Sequence, residues 1–498
     1  MYIGDTLAVY ALQNPEKPAI VFEGEAITYS QFYDEIKVIQ SKLRAYIPDV
    51  KGKKIAFLLG NEPRFLKVFF ATITVGGIAM PLDPKWSSRE LGTILQEVEP
   101  ALVLVADDLI GKVPSSAASK ILCWTDFEQL DDHDFSFEPP SGKRNAEDLF
   151  YIGFTSGTTG IPKGYKRTHL SWLKSFENGN EVFQISRDDI ICTPGPLYHS
   201  LNLYGAVHAL HLGATLSLMN KFSAPTVIDL LDKALIDVLY LVPTMASALM
   251  KQLESAQKQF ERLKMLISSG AKWHPNSRKK INSFFPNASL YEFYGASETS
   301  FISVLSDDDY LLAPLSVGKA FPGVEIQIRT NERNIAEVGE IGKVYIKSEM
   351  VFDGYVNNDE ANAKTLHGEW ATVGDIGYVD KKGFLFLVGR EKNMIISGGL
   401  NIYPEEIELF LEKHEDIDEA VVVGVPHSYW GEMAVALVKC KIGKKFDPEK
   451  LKTYCRKTLS SYKCPRLFIE VEHFPYTTSG KIARQEVLKY LEELLEKR

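Results

Sequence analysis

Eleven residues set the terms for everything else in this chain: Phe154-Thr155-Ser156-Gly157-Thr158-Thr159-Gly160-Ile161-Pro162-Lys163-Gly164. Gly and Pro are the two poorest helix formers, so the stretch is not a helix interior. It is also too polar and too broken for a central strand. Its unshielded backbone N–H groups, four hydroxyls and single lysine suit an anion, above all a phosphate chain. It lacks the Gly-Lys-Ser/Thr ending and the spacing of the Walker sequence. Taken alone, it also fits an ordinary Gly/Ser/Thr surface loop, and the rest of the chain has to decide.

At 498 residues the chain is long for one core and is expected to divide into a large domain and a smaller one. The net charge of −9, without long runs of one sign, argues against broad binding to nucleic acid or anionic membranes. Any anion site must therefore be a local concentration of cations and N–H groups. The five cysteines (Cys123, Cys192, Cys440, Cys455, Cys464) are scattered, and an odd count without metal-like spacing suits reduced thiols in the cytoplasm. No signal peptide is visible at the start, and no apolar run reaches the length of a membrane span.

The pattern alternates. Ile20–Phe22 and Ile27–Tyr29 form a predicted hairpin, with Ser30 as the expected N-cap of a helix over Phe32–Leu43. Short apolar strands are expected at Ile55–Leu59, Ala79–Leu82 and Ala101–Val105, with helices at Glu62–Val75 and Ser87–Val98 between them. The rhythm returns at Thr215–Leu218, Val238–Val242 and Lys264–Ser268. Alternating helix and apolar strand implies parallel sheets covered on both faces. Pro139-Pro140-Ser141-Gly142 is an expected linker. Beyond about residue 390 the character changes to a smaller α/β domain, with a helix at Pro404–Lys413 and strands at Ala420–Val425 and Ala434–Lys441. The expected division is 1–391 and 392–498.

Four more stretches combine rare composition with a loop setting. They are Tyr291-Glu292-Phe293-Tyr294-Gly295-Ala296-Ser297-Glu298-Thr299, Trp370 to Asp375, Gly389 to Gly399, and Pro475-Tyr476-Thr477-Thr478-Ser479-Gly480-Lys481. Each alone is weak. In this order and spacing they resemble the adenylate-forming superfamily: acyl-CoA synthetases, nonribosomal-peptide adenylation domains and firefly luciferase. The resemblance runs from near the N-terminus to about Arg484. It implies a large N-terminal domain of layered α/β sheets and a smaller, mobile C-terminal α/β domain.

The resemblance also implies roles. Thr155, Ser156, Gly157, Thr158, Thr159, Gly160 and Lys163 would hold the β- and γ-phosphates of ATP. Glu298 would bind Mg²⁺, and Tyr294 with Gly295 would lie against the adenine. Asp375 would accept from the ribose hydroxyls, with Arg390 beside it. Lys481 would bridge the carboxylate and the α-phosphate, and Lys392 would be the hinge. Ser397, Gly398 and Gly399 would pass the pantetheine arm of coenzyme A. Two positions depart from the family pattern: Val373 stands where Thr or Ser usually precedes Gly-Asp, and Asn393 replaces a frequent Asp.

Gly195-Pro196-Leu197-Tyr198-His199-Ser200 offers no carboxylate to an amino group, which disfavours amino-acid substrates. His199 resembles the aromatic gate of acyl- and aryl-CoA ligases; a core histidine beside a turn is the alternative. His208 and His211 lack a third ligand, which makes zinc improbable. Candidate pocket residues are Tyr198, Leu203, Tyr204, Val242, Thr244, Ser269, Gly270 and Ala271. Their character favours a fatty or aryl acid. Two rivals to the CoA ligase stay open: an enzyme that loads a carrier-protein phosphopantetheine, and a nucleotide-binding relative without turnover. The physiological acid and the oligomeric state are not legible in the sequence.

Overall fold

The computed structural model describes residues 2–47, 49–115, 120–130, 144–155, 162–273, 275–330, 334–397, 400–427, 429–476 and 482–496. It divides into two compact units. The first comprises 1–314, 318–325 and 346–371, and the second comprises 315–317, 326–345 and 372–498. The second unit thus gathers the residues from Thr372 onward with two earlier pieces of chain. The expected linker at Pro139–Gly142 lies outside the described residues.

Two of the sheets lie wholly within the first unit. One has nine strands in the order Lys319–Ala320, Ser300–Leu305, Ser289–Ala296, Met265–Ser268, Val238–Leu241, Ile190–Thr193, Thr215–Leu218, Pro18–Phe22 and Glu25–Thr28. Its five middle pairings, counted from Ser289–Ala296 to Pro18–Phe22, are all parallel. The first strand of the chain joins far from its sequence neighbours, with Ile20 opposite Leu216 and Phe22 opposite Leu218. The other sheet has six strands in the order Lys120–Cys123, Leu102–Val105, Lys54–Leu58, Ile78–Pro81, Leu149–Thr155 and Lys163–Thr168. Ile55, Ala56, Phe57 and Leu58 are all fully buried, the signature of a strand covered on both faces.

The helices supply the cover. The helix Tyr29–Tyr46 buries Phe32, Ile36, Ile39 and Leu43 at helical spacing. Its start corrects the expectation of Ser30 as N-cap. Thr28 is the cap: its hydroxyl accepts from Gln31 N, and the Gln31 side chain accepts from Thr28 N at 2.9 Å. That reciprocal capping box satisfies two otherwise orphaned donors, which Ser30, the second residue of the helix, does not do.

In the second unit, Leu400–Ile402, Ile395–Ser397, Gly431–Cys440 and Ile417–His427 form an antiparallel run, and Leu467–Glu470 adds in parallel to Gly431–Cys440. The helix Pro404–Leu411 packs Ile407 and Leu411 into one cluster with Ile395, Ala436 and Cys455. On the other face Val487 and Leu491 of the last helix join Val421, Val423 and Leu437. Among the described residues, no helix is long and apolar enough to cross a membrane.

Candidate active site

The opening loop is held at both ends by a hairpin. Thr155 ends one strand and Lys163 begins the next, and the two are antiparallel partners, as are Phe154 and Gly164. The polar strand that starts at Lys163 sits at the edge of its sheet, where broken, hydrophilic sequence is tolerated. Ser156, Gly157, Thr158, Thr159 and Gly160 lie outside the described residues.

The second strand of the hairpin ties the loop to the next motif. The segment 353–356 runs antiparallel beside it: Lys166 N donates to Gly354 O at 2.9 Å and Val356 N to Gly164 O at 2.8 Å. Tyr355 is thereby fixed. Its hydroxyl donates to Glu298 Oε1 at 2.9 Å, and the Lys163 ammonium stands 5.9 Å from its ring centroid. Burial, followed by the Glu298 charge, pushes the Tyr355 phenol well above its usual range, so it stays a donor. Arg167, on the same strand and fully buried, donates to Ser300 Oγ at 2.7 Å and to Ser297 O at 3.2 Å, holding the turn that presents Glu298 from both sides. Burial lowers its pKa to about 10, which leaves it charged at neutral pH.

Tyr294 and Gly295 were expected in a loop after a strand at Leu290. The strand in fact runs through Ala296 and pairs antiparallel with Ser300–Leu305, so both are strand residues. A Cβ on Gly295 would fall 2.0 Å from Ser300 O, a distance only glycine avoids. Glu298, in the turn between the two strands, is 8% exposed.

His199 stands at the N-cap position of the helix Ser200–Leu212, with no capping hydrogen bond from its side chain. Burial, with Lys85 adding to it, takes its pKa down to about 4, so the ring is neutral at pH 7. Its Nε2 has no partner among the described residues, and its ring meets Tyr198 at 4.8 Å. The next residue, Ser200, is 3.0 Å from Ser297 between hydroxyl oxygens, so the helix start is joined to the Glu298 turn. Asn61 pins the loop before it by accepting from Leu197 N at 2.7 Å and donating to Met219 O at 2.6 Å.

The proposed acid-pocket residues separate. Val242 and Gly270 come together, with a Cβ on Gly270 only 3.6 Å from Val242 Cγ1. Ser269 is half-buried beside them, while Thr244, Gly270 and Ala271 are exposed. Leu203 and Tyr204 lie in the core, and the Tyr204 hydroxyl donates to Ser175 O at 2.9 Å. His208 is a core histidine, its Nε2 3.0 Å from Asn180 Oδ1, and the half-buried His211 meets Thr6.

In the second unit Asp375 and Arg390 face each other. They are partners on adjacent strands, and Arg390 Nε donates to Asp375 Oδ1 at 2.8 Å. Asp375 is buried. Although Val373 lacks a hydroxyl, Thr372 Oγ1 accepts from Gly374 N at 3.2 Å, one residue earlier. Lys392 lies in the turn Glu391–Asn393, where Asn393 Nδ2 donates to Glu405 Oε1 at 2.5 Å. An aspartate at 393 would set a second carboxylate against Glu405. Ser397 is buried and pairs with Leu400 and Gly431. Gly398, Gly399 and Lys481 lie outside the described residues; next to Lys481, Ile482 pairs with Tyr476.

Sequence reasoning gave no role to Tyr355, Arg167 or Asn61. Their roles arise from partners far along the chain.

The chain resembles known proteins along nearly its whole length. Residues 7–356 match the model of the AMP-binding enzymes, and residues 406–481 match that of the AMP-binding enzyme C-terminal domain. The chain is 39% identical over 496 residues to the uncharacterized acyl–CoA ligase YhfT of Bacillus subtilis (strain 168), covering 99% of each. It is 34% identical over 490 residues to the putative long chain fatty acid-CoA ligase VraA of Staphylococcus epidermidis, covering 97% of each. Among solved structures it resembles o-succinylbenzoate coenzyme A synthetase (MenE) from Bacillus subtilis in complex with ATP and magnesium ion. That match has a TM-score of 0.88 at 25% identity, over 98% of this chain and 99% of the other.

Proposed function

Because the chain belongs to the AMP-binding enzyme family, we propose that it is an acid–thiol ligase. It uses ATP to join a fatty or aryl carboxylic acid to AMP with release of pyrophosphate, then transfers the acyl group to coenzyme A with release of AMP. The observation that carries this reading is one continuous line of contacts, from Lys163 through Tyr355, Glu298, Ser297 and Ser200 to His199. A cation, a carboxylate and a neutral imidazole are thereby set along one site.

A carboxylate is a poor electrophile until its oxygen carries a good leaving group. In the first step a carboxylate oxygen bonds to the α-phosphorus as the bond from that phosphorus to pyrophosphate breaks. The task is positioning and charge neutralisation of two anions. Lys163 and the loop 155–160 take the β- and γ-phosphates, Tyr294 and Gly295 border the adenine, and Asp375 with Arg390 takes the ribose. Lys481 stabilises the charge that builds between carboxylate and α-phosphate. Glu298, a buried carboxylate that accepts a phenol hydrogen bond, is the hard oxygen donor that Mg²⁺ favours and would hold that ion, which when bound shields phosphate charge. His199, being neutral, leaves the acid's carboxylate free to attack instead of tying it in an ion pair.

In the second step the coenzyme A sulfur bonds to the acyl carbon, the bond from that carbon to the bridging anhydride oxygen breaks with its electrons leaving on AMP, and the thiol proton passes to solvent. Residues 392–498 turn about Lys392 between the steps, which removes Lys481 and brings Ser397, Gly398 and Gly399 to the pantetheine. The enzyme acts in the cytoplasm.

The test is a panel of carboxylic acids assayed for pyrophosphate–ATP exchange without coenzyme A and for AMP release with it. Acid-dependent exchange, followed by AMP release on adding coenzyme A, is expected. Absence of exchange with every acid in the panel would sink the reading in favour of a nucleotide-binding protein. Acyl transfer that demands a carrier protein, with coenzyme A unable to replace it, would favour the carrier-loading enzyme.

A further inference from the structure

The nine-stranded sheet reverses its order at one place. From Ile190–Thr193 the chain moves to Thr215–Leu218 on one side, then returns to Val238–Leu241 on the other. Ligands bind at such switch points, outside the carboxyl ends of the strands. The helix Ser200–Leu212, with His199 at its start, packs over these same strands.

Gly205 is the helix residue that faces both. A Cβ built on it would stand 2.6 Å from Thr193 Cγ2 and 3.3 Å from Tyr240 Cε2. Leu239 is registered opposite Cys192, so Tyr240 and Thr193 are next along the two neighbouring strands. Both side chains end in hydroxyls, both are buried to 1% exposure or less, and neither hydroxyl has a hydrogen-bond partner among the described residues. The adjoining Tyr204 hydroxyl does have one, in Ser175 O. An unpaired buried hydroxyl works against folding, and native proteins keep few of them. Two residues with such hydroxyls, on neighbouring strands under one helix at a switch point, are arranged for a polar group brought in from outside. No charged group acts on Tyr240, whose phenol is raised by burial alone.

We propose that Thr193 and Tyr240 form the floor of the acid pocket, and that the acid carries an uncharged oxygen function, a hydroxyl or a ketone, at the end remote from its carboxylate. This rests on the acid–thiol ligase reading, which places the carboxylate near His199. A second carboxylate or an ammonium on the substrate would find no counter-charge at the floor. From His199 to Gly205 the helix rises about 9 Å, a length met by 8-hydroxyoctanoate or by 3-(4-hydroxyphenyl)propanoate.

The experiment compares matched acids: octanoate with 8-hydroxyoctanoate, and 3-phenylpropanoate with 3-(4-hydroxyphenyl)propanoate. Formation of AMP in the presence of coenzyme A is read as kcat/KM for the full-length enzyme and for its Tyr240→Phe and Thr193→Val variants. Sites built to bond a hydroxyl reject the analogue that lacks it, so the oxygenated member of at least one pair is expected to lead by about tenfold or more. Tyr240→Phe should remove most of that preference by lowering kcat/KM for the oxygenated acid more than for its deoxy partner; Thr193→Val, which keeps side-chain size, should weaken the preference in the same direction. Equal use of both members by the wild type, a preference untouched by both variants, or equal loss on both members in both variants would each overturn the floor. AMP from the deoxy acids without preference overturns the floor alone. No AMP and no pyrophosphate exchange with any acid would remove the ligase reading and the floor with it.

Discussion

Tyr355 joins two elements of the site that sequence had treated as separate. Its ring lies beside the Lys163 ammonium and its hydroxyl donates to Glu298. Tyr355→Phe keeps the ring and removes only the donor to a buried carboxylate. A hydrogen bond to a charged group is worth about 1.5–3 kcal/mol, so adenylation is expected to fall about tenfold or more, with half-saturation moving to higher Mg²⁺. Pyrophosphate–ATP exchange measured across a magnesium titration checks this, and an unchanged titration would deny Tyr355 its positioning role. Such a residue is hard to read from sequence. Glu298, Asp375 and Lys163 stand in short, unusual strings that betray them. Tyr355, Arg167 and Asn61 are ordinary letters, and the partners that give them meaning lie 57, 130 and 136 positions away. Tyr240 was invisible for a related reason: within an apolar strand its hydroxyl looks incidental until the facing helix residue is seen to be glycine.

At the scale of elements, the alternation of helix and apolar strand was legible throughout, because a strand covered on both faces must be a short apolar run. Boundaries were less so. Thr28 and Ser30 are both good capping residues, and only the reply from Gln31 separates them. Thr28→Ala is expected to cost about 1 kcal/mol, and Ser30→Ala little, as read from the urea midpoints of the two variants. The helix Ser200–Leu212 gives a second prediction. Burial, with the nearby charge of His211 next, holds His208 at about 3, while an unfolded histidine titrates near 6.5. Below pH 6.5 the unfolded chain therefore binds a proton that the folded one refuses. Stability from this residue is present above that pH and is lost as pH falls toward 3, by roughly 1 kcal/mol between pH 7 and 5.5. His208→Gln should reduce the drop in urea midpoint over that interval by the corresponding amount.

At the scale of the whole molecule, the proposed rotation about Lys392 predicts a separation of half-reactions. Lys481→Ala should lower adenylation by a hundredfold or more, the size expected when one transition-state charge partner is removed, on the order of 3 kcal/mol, yet largely spare thioester formation from supplied acyl-adenylate. Single-turnover assays of each half-reaction decide, and equal losses in both would exclude two working arrangements. The nine-stranded sheet has a further consequence, one of timing. Pro18–Phe22 finds its parallel partner only in Thr215–Leu218, nearly two hundred residues later. At ribosomal rates of about 5–20 residues per second, the nascent chain carries Ile20 and its hairpin for roughly 10–40 s before that edge of the sheet can close. Anything that binds exposed apolar strands during synthesis has that interval in which to act.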